Sequence, residues 1–160
     1  MLLVLLLASS PALGADGDWD PDDVKGRFDV RWVGAATTAS DEIHLGISFY
    51  RGFRPRLLPR RPTDSRSHVS LWLSGALNGY FIHRDDGRIV FIWGDFGSTC
   101  CEKAFATRRS RTSLSVTIDP CHYVYGEEIE KAEGLTYWRT HKVRATDRTG
   151  EVALSHPNCD

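Results

Sequence analysis

The segment with the clearest potential for chemistry is an acidic stretch near the N-terminus. Asp18, Asp20 and Asp22 occupy alternate positions, and Asp29 follows further along the chain. Calcium takes about six to eight oxygen ligands, and a compact loop with carboxylates at this spacing can supply several of them. The candidate metal ligands are therefore Asp18, Asp20, Asp22 and Asp29.

The same stretch departs from the pattern of a calcium loop. Asp23 occupies the position where such a loop needs glycine, and Pro21 stiffens the chain between the candidate ligands. The final ligand is normally a glutamate, whereas Asp29 has the shorter side chain. These departures favour a solvated acidic segment that leads into the first strand. We therefore expect no cofactor, with a structural calcium ion as the alternative.

Aromatic and basic residues form the second group of candidates. Trp72 and Trp138 lie opposite the clearest apolar residues of their predicted strands, so each is a candidate platform for a sugar ring. Arg54 and Arg56 belong to a basic, proline-rich loop, and guanidinium groups suit carboxylate, sulfate and phosphate. These four residues are the predicted contacts to an extracellular polysaccharide or cell-wall polymer. The alternatives are tryptophans in the core and a solubilising loop.

The sequence contains no recognisable catalytic motif. His-Glu-x-x-His and Gly-x-Ser-x-Gly are both missing, and His83 beside Asp85 has no evident nucleophile. The acidic run at 127–133 is more typical of solvated charge on a short surface helix than of a hydrolase carboxylate pair. No catalytic residue is predicted, and an enzyme is not the favoured class.

Residues 1–14 resemble a secretory signal peptide. The apolar run from Leu2 to Ala8 is too short to cross a bilayer, which needs about 20 residues. Ala12 and Gly14 supply the small residues of a cleavage site, although no lysine or arginine precedes the apolar run. We therefore predict a secreted, extracellular protein with no membrane span. A buried N-terminal strand or helix is the alternative.

In an oxidising compartment, disulfide bonds are the expected chemistry of the four cysteines. These are Cys100, Cys101, Cys121 and Cys159. Neighbouring residues on a strand point to opposite faces, so one of the adjacent pair is expected to bond Cys121 and the other Cys159. A zinc site is less favoured, because the chain has no Cys-x-x-Cys.

The elements that must position these residues are short strands. Apolar and polar residues alternate along at least five segments, and Asp86-Gly87 supplies the residue types of a hairpin turn. We predict an all-β fold, an antiparallel two-sheet β-sandwich of jelly-roll type with at most one short helix, and a closed barrel as the next choice. The predicted organisation is a signal peptide (1–14), an acidic lead-in (15–27) and one domain (28–160).

One likeness to known proteins rests on the opening of the domain and on its tail. The opening has the pattern Asp-Val-x-Gly-x-Leu/Phe-Asp-x-Arg, matched by Asp23, Val24, Gly26, Phe28, Asp29 and Arg31. The segment 49–55 and the tail from Asp147 to Pro157 are similar in kind. In these features the chain resembles uncharacterised secreted bacterial proteins that are common in actinobacteria. The resemblance implies a secreted β-sandwich and assigns no catalytic or binding residue.

Composition narrows the function classes further. A net charge of −1 excludes a dedicated nucleic-acid binder, and one domain with a single core is expected from the length. The sequence therefore favours a secreted, monomeric, non-catalytic binding module for a glycan or cell-envelope polymer. A secreted hydrolase with an unrecognised site and a purely structural or interaction domain are the alternatives.

Overall fold

The computed structural model describes ten segments of the chain. They are residues 16–24, 26–38, 40, 42–61, 67–74, 77–95, 102–119, 129, 131–139 and 144–154. The predicted signal peptide lies outside them, and so do all the cysteines of the predicted disulfide bonds: Cys100, Cys101, Cys121 and Cys159.

The described residues form ten strands and one short 3-10 helix. The strands are β1 (Asp16–Trp19), β2 (Val30–Thr37), β3 (Ile43–Phe49), β4 (Ser67–Ser74), β5 (Leu77–His83), β6 (Ile89–Asp95), β7 (Glu102–Ser110), β8 (Ser113–Ile118), β9 (Lys131–Arg139) and β10 (Arg144–Ala153). The 3-10 helix is Pro55–Leu57, and it begins at a proline, whose fixed φ suits a first helical position. Across the described segments, no helix is long and apolar enough to cross a membrane.

The strands pair in the order β1-β2-β3-β8-β7-β6-β5-β4-β9-β10, and every pair is antiparallel. This confirms the predicted all-β, antiparallel fold. The strands form one continuous sheet, nearly closed into a barrel, instead of the predicted two sheets of a jelly-roll-like sandwich. The physical reason is β7, which pairs with β6 through Glu102–Ala106 and with β8 from Thr107 onward.

The core lies inside this curled sheet. Apolar residues at alternate positions point inward from both ends of the strand order, for example Val33 in β2, Ile47 in β3 and Leu71 in β4, all fully buried in one cluster. Each such side chain contributes roughly 1.5–3 kcal/mol by leaving water. At the other end of the order, β10 contacts both β1 and β2, which almost completes the barrel.

Three phenylalanines fix the chain where it enters β2. Phe28 packs against Phe49 and Phe53 with ring centroids 5.7 Å away in each case, and Phe49 lies 5.3 Å from Phe53. The backbone of Asp29 is held too, because its carbonyl accepts a hydrogen bond of 3.0 Å from the Tyr50 N–H. The residue before β2 therefore has a fixed position.

The acidic lead-in also has a defined structure in its first part. Residues Asp16–Trp19 pair with β2 as strand β1, and the Asp18 carboxylate accepts a hydrogen bond of 2.8 Å from the Gly150 N–H in β10. The sequence favours a solvated segment here, whereas the structure has a strand. The backbone pairing with β2 and the Asp18 contact to β10 explain this difference.

Gly79 offers a test of packing inside the sheet. A Cβ at this position would overlap the Phe91 ring, which is itself buried against Phe81. We expect Gly79→Ala to destabilise the protein by roughly 1–3 kcal/mol, because a crowded core responds with strained side chains or shifted backbone. Urea unfolding measures the change. Gly52→Ala is the control, since its Cβ would meet Arg111 at ordinary contact distances of 3.6 and 3.7 Å. Equal effects of the two substitutions would contradict the packing described here.

Candidate functional site

Three aspartates from separate parts of the chain meet where the sheet closes. Asp20 directly follows β1, Asp29 directly precedes β2, and Asp147 lies within β10. Each contributes a carboxylate oxygen, and these oxygens all lie within 4.8 Å of one another. We call Asp20, Asp29 and Asp147 the carboxylate cluster.

Backbone contacts hold each member of the carboxylate cluster in place. The Asp20 N–H donates to the Arg31 carbonyl at 3.2 Å, and the Asp20 carbonyl accepts from the Tyr50 hydroxyl at 2.7 Å. Asp147 accepts from the Val30 N–H at 2.6 Å through Oδ2 and from its neighbour's N–H at 2.9 Å through Oδ1. The cluster is therefore built on strand backbone, which gives it a fixed geometry.

Asp29 is the least solvated member of the cluster. Its exposed fraction is 0 %, and among the described residues no backbone N–H or cationic group donates a hydrogen bond to its carboxylate oxygens. Within the same residues, Oδ2 of Asp20 is likewise buried without such a donor. The side chains close enough to share a proton with these two groups are carboxyls, Asp22 for Asp29 and Asp147 for Asp20. An ionised carboxylate in this situation is costly, because nothing replaces the water that it has lost. The cluster consequently needs a proton or a cation.

The pKa values of the cluster reflect this need. Burial is the main cause that raises the pKa of Asp29 to about 7 and that of Asp20 to about 6, and neighbouring carboxylates add to both shifts. Burial also raises the pKa of Asp147, against the opposing effect of its two backbone hydrogen bonds. All three groups therefore hold protons more tightly than an exposed aspartate does.

Cationic side chains near the cluster are mostly engaged elsewhere. The Arg148 guanidinium pairs with the buried Glu133 through two hydrogen bonds, and Arg31 lies over the rings of Trp19 and Tyr50. Arg51 lowers the pKa of Asp29, but burial outweighs its effect. Among the described residues, protein charge alone thus leaves the cluster short of positive charge.

The chemistry of the cluster suits a hard divalent cation. Its donors are all carboxylate oxygens, which calcium and magnesium prefer over the nitrogen and sulfur ligands typical of zinc and copper. Calcium binds oxygen at about 2.3–2.6 Å, so ligands on opposite sides of one ion are separated by up to about 5 Å. The spacing within the cluster matches this requirement, and water or further chain oxygens would complete the shell.

The structure brings together some of the predicted metal ligands. Asp20 and Asp29 both belong to the cluster, and exposed Asp22 lies beside Asp29 and raises its pKa. The Asp18 carboxylate is a neighbour of the cluster and binds the backbone of β10. Asp147 was not predicted, because it is far from the acidic stretch in the sequence. The feature that indicates Asp147 is its position in the strand. It is an aspartate at one of the alternate positions that face inward, and these positions are otherwise buried.

The predicted sugar contacts lie on separate elements. Trp72 is a half-buried residue of β4, and its ring is flanked by Lys131 at 5.5 Å and Arg148 at 5.4 Å. Arg54 and Arg56 are exposed around the 3-10 helix. Trp138 belongs to β9, and its side chain lies outside the described part of the structure. All four stay predicted ligand contacts.

Comparison with known proteins adds no family. No protein-family model matches the chain, and neither the curated proteins nor the solved structures give a significant match. Fold and site together define the class as an antiparallel, nearly closed β-sheet protein with a buried three-carboxylate cluster.

The raised pKa values of Asp20 and Asp29 give a prediction for the cation-free protein. The usual pKa of an aspartate is 3.8, so between about pH 4 and pH 7 the folded state holds more protons than the unfolded chain. The free energy of unfolding must therefore fall as the pH rises through this window, and the loss is complete above about pH 7. We expect the melting temperature in chelator to be lower at pH 8 than at pH 5.

Other groups titrate in the same range, so a variant is needed to isolate the cluster. His44 and His68 have lowered pKa values, mainly through burial, and they tilt the stability curve in the opposite direction. Asp29→Asn removes the most strongly shifted carboxyl. The difference in melting temperature between wild type and Asp29→Asn should grow in favour of the variant from pH 5 to pH 8. A constant difference would contradict the assigned pKa of Asp29.

Proposed function

We propose that this chain is a secreted, non-catalytic binding protein whose barrel is closed by a calcium ion bound to Asp20, Asp29 and Asp147. The observation that carries the proposal is the Asp29 carboxylate, which is fully buried, receives no hydrogen bond from a backbone N–H or a cationic group of the described residues, and lies close to two further carboxylates, with one oxygen of each of the three within 4.8 Å of the others. A single divalent cation neutralises most of this charge and satisfies the buried oxygens.

The predicted location outside the cell fits a calcium site of moderate affinity. Extracellular calcium modules function with dissociation constants of about 10⁻⁴–10⁻³ M. Such a site stays occupied where calcium is plentiful and empties when the metal is chelated. The cation then contributes stability by binding the folded state alone.

The geometry favours cation binding over hydrolysis. Glycosidases keep their two carboxyl groups about 5–9.5 Å apart, on either side of a cleft that admits the sugar. The carboxylate cluster is tighter than that, and Asp29 is sealed from solvent. A buried cluster at the closing seam of a sheet supports a structural role for the metal.

Thermal unfolding with and without calcium tests the proposed function. At pH 8, calcium at 100 times its dissociation constant adds about 2.7 kcal/mol, which corresponds to a rise of roughly 5–10 °C in melting temperature for a domain of this size. Magnesium at equal concentration should give a smaller rise, because it demands stricter geometry and retains its water.

Two aspartate variants make the test specific. Asp29→Asn should abolish the calcium response without lowering stability in chelator, because it removes an uncompensated buried charge. Asp85→Asn is the matched control, since the Asp85 side chain is 82 % exposed and forms a surface ion pair with exposed Arg60. The site would be ruled out if calcium left the melting temperature of the wild-type protein unchanged. It would also be ruled out if the Asp29→Asn variant kept the full rise in melting temperature.

A further inference from the structure

A tryptophan lies flat on the outer face of the sheet, away from the carboxylate cluster. Gly17 in β1, Gly34 in β2 and Gly46 in β3 stand opposite one another in the strand register. A Cβ at any of the three would come within 3.0 Å of atoms of the Trp32 indole. The ring therefore rests on the backbone of three strands, and only glycine leaves it room to do so.

The Trp32 indole borders an open depression of about 220 Å³. Its lining includes Trp32, the polar side chains of His44, Ser113 and Ser115, and the guanidinium group of Arg109. This is below the volume of about 300–1,000 Å³ that is typical of pockets for drug-sized molecules. A shallow, mostly apolar hollow with an aromatic ring and a few polar groups suits the C–H face and the hydroxyl groups of a single sugar unit, in a chain that continues across the surface.

Arg109 supplies the only charge among the described residues that line the depression. Its Nε–H donates to the Ser115 hydroxyl at 3.0 Å, and no other hydrogen bond of Arg109 occurs within the described residues. The two terminal NH₂ groups of a guanidinium held in this way form a planar fork, which matches a carboxylate. The ligand of this depression should therefore carry a negative charge.

His44 adds a neutral hydrogen-bonding group at the same place. Its Nδ1 lies 3.0 Å from the Thr117 hydroxyl, which leaves Nε2 for another partner. Burial, and secondarily the charge of Arg109, lower the pKa of His44, so the ring is neutral near pH 7. A neutral imidazole is a suitable partner for a sugar hydroxyl group. The hydroxyls of Ser113 and Ser115 are already bonded to Ser110 and Arg109, so they fix the surroundings of the depression.

We propose that this depression binds a uronic acid unit of an acidic polysaccharide, with the pyranose stacked on Trp32 and its carboxylate on Arg109. The indole face attracts the C–H groups of the sugar ring. The inference rests on the proposed binding function but not on the cation, because none of the lining residues belongs to the carboxylate cluster.

Affinity electrophoresis and calorimetry with hyaluronan oligosaccharides test this site in the full chain with calcium present. Wild type should bind the oligosaccharide and should lose at least about tenfold in affinity when the glucuronate carboxylates are methyl-esterified, because the charged pairing with Arg109 is lost. Dextran sulfate, a polyanion without carboxylates, should bind more weakly. Equal binding of all three probes, or no binding of hyaluronan, would overturn the proposal.

Matched variants locate the binding. Trp32→Ala and Arg109→Ala should each weaken hyaluronan binding by about tenfold or more, and Arg109→Lys should restore only part of it, since lysine lacks the planar fork. Phe105→Ala is the control, because Phe105 is 71 % exposed elsewhere on the sheet. Arg54→Ala tests the predicted contact beside the 3-10 helix as the alternative location of the ligand. Loss of binding in Arg54→Ala with Arg109→Ala unchanged would place the ligand on the basic loop and refute this site.

The calcium response separates the two proposals. A Trp32→Ala or Arg109→Ala protein that keeps the wild-type rise in melting temperature with calcium is folded, so weak binding by it reports on the sugar site alone. Should Trp32→Ala fail to fold, Arg109→Ala decides the outcome, because Arg109 lies at the surface and its hydrogen bond to Ser115 is the only one it makes with the described residues.

Discussion

The hydrogen bond from the Val30 N–H to the Asp147 carboxylate joins the two ends of the strand order. β2 lies near one end and β10 at the other, so no ladder of backbone bonds runs directly between them. Thr136 strengthens this seam, because its hydroxyl donates to the Phe28 carbonyl at 2.6 Å. Together with the hydrogen bond from the Gly150 N–H to the Asp18 carboxylate, these side-chain contacts supplement the apolar packing that curls the sheet. The closure therefore relies on a carboxylate in the interior.

The buried Asp147 carboxylate at the seam has an electrostatic consequence. A carboxylate can accept two backbone N–H groups at the seam, which a neutral apolar side chain cannot do, but it places negative charge beside Asp20 and Asp29. The buried carboxylate of Glu133 is neutralised differently, because Arg148 on the outer face donates two hydrogen bonds to it. The carboxylate cluster has no comparable arginine among the described residues. The cation that we propose would resolve the difference and would give a reason why three like charges are kept together.

Several strands follow from the sequence because apolar and polar residues alternate along them, as in Ile43–Phe49. The exposed strand β7 carries no buried alternate positions, so the sequence pattern does not indicate it. The path of the sheet does not follow from the sequence either, because the side-chain contact between β2 and β10 joins residues more than a hundred positions apart. Asp20 and Asp29 can be predicted as metal ligands because they belong to a local acidic stretch, whereas Asp147 is identified only by the residues that it contacts in the fold. Glu133 shows the same limit: its acidic neighbourhood predicts a surface helix, yet its place in β9 makes it a buried ion-pair partner.

The carboxylate cluster and the Trp32 indole lie on opposite faces of β1 and β2. Asp20 continues from β1 into the carboxylate cluster, while Gly17 of the same strand forms part of the floor under Trp32. Strand β1 is short, and its pairing with β2 alone is weak support for an edge strand. Its position is reinforced by Asp18 on β10 and by Asp20 in the cluster. Neutralising the cluster would therefore also stabilise the surface on which the indole rests, so the proposed cation on one side of β1 would support the proposed sugar site on the other.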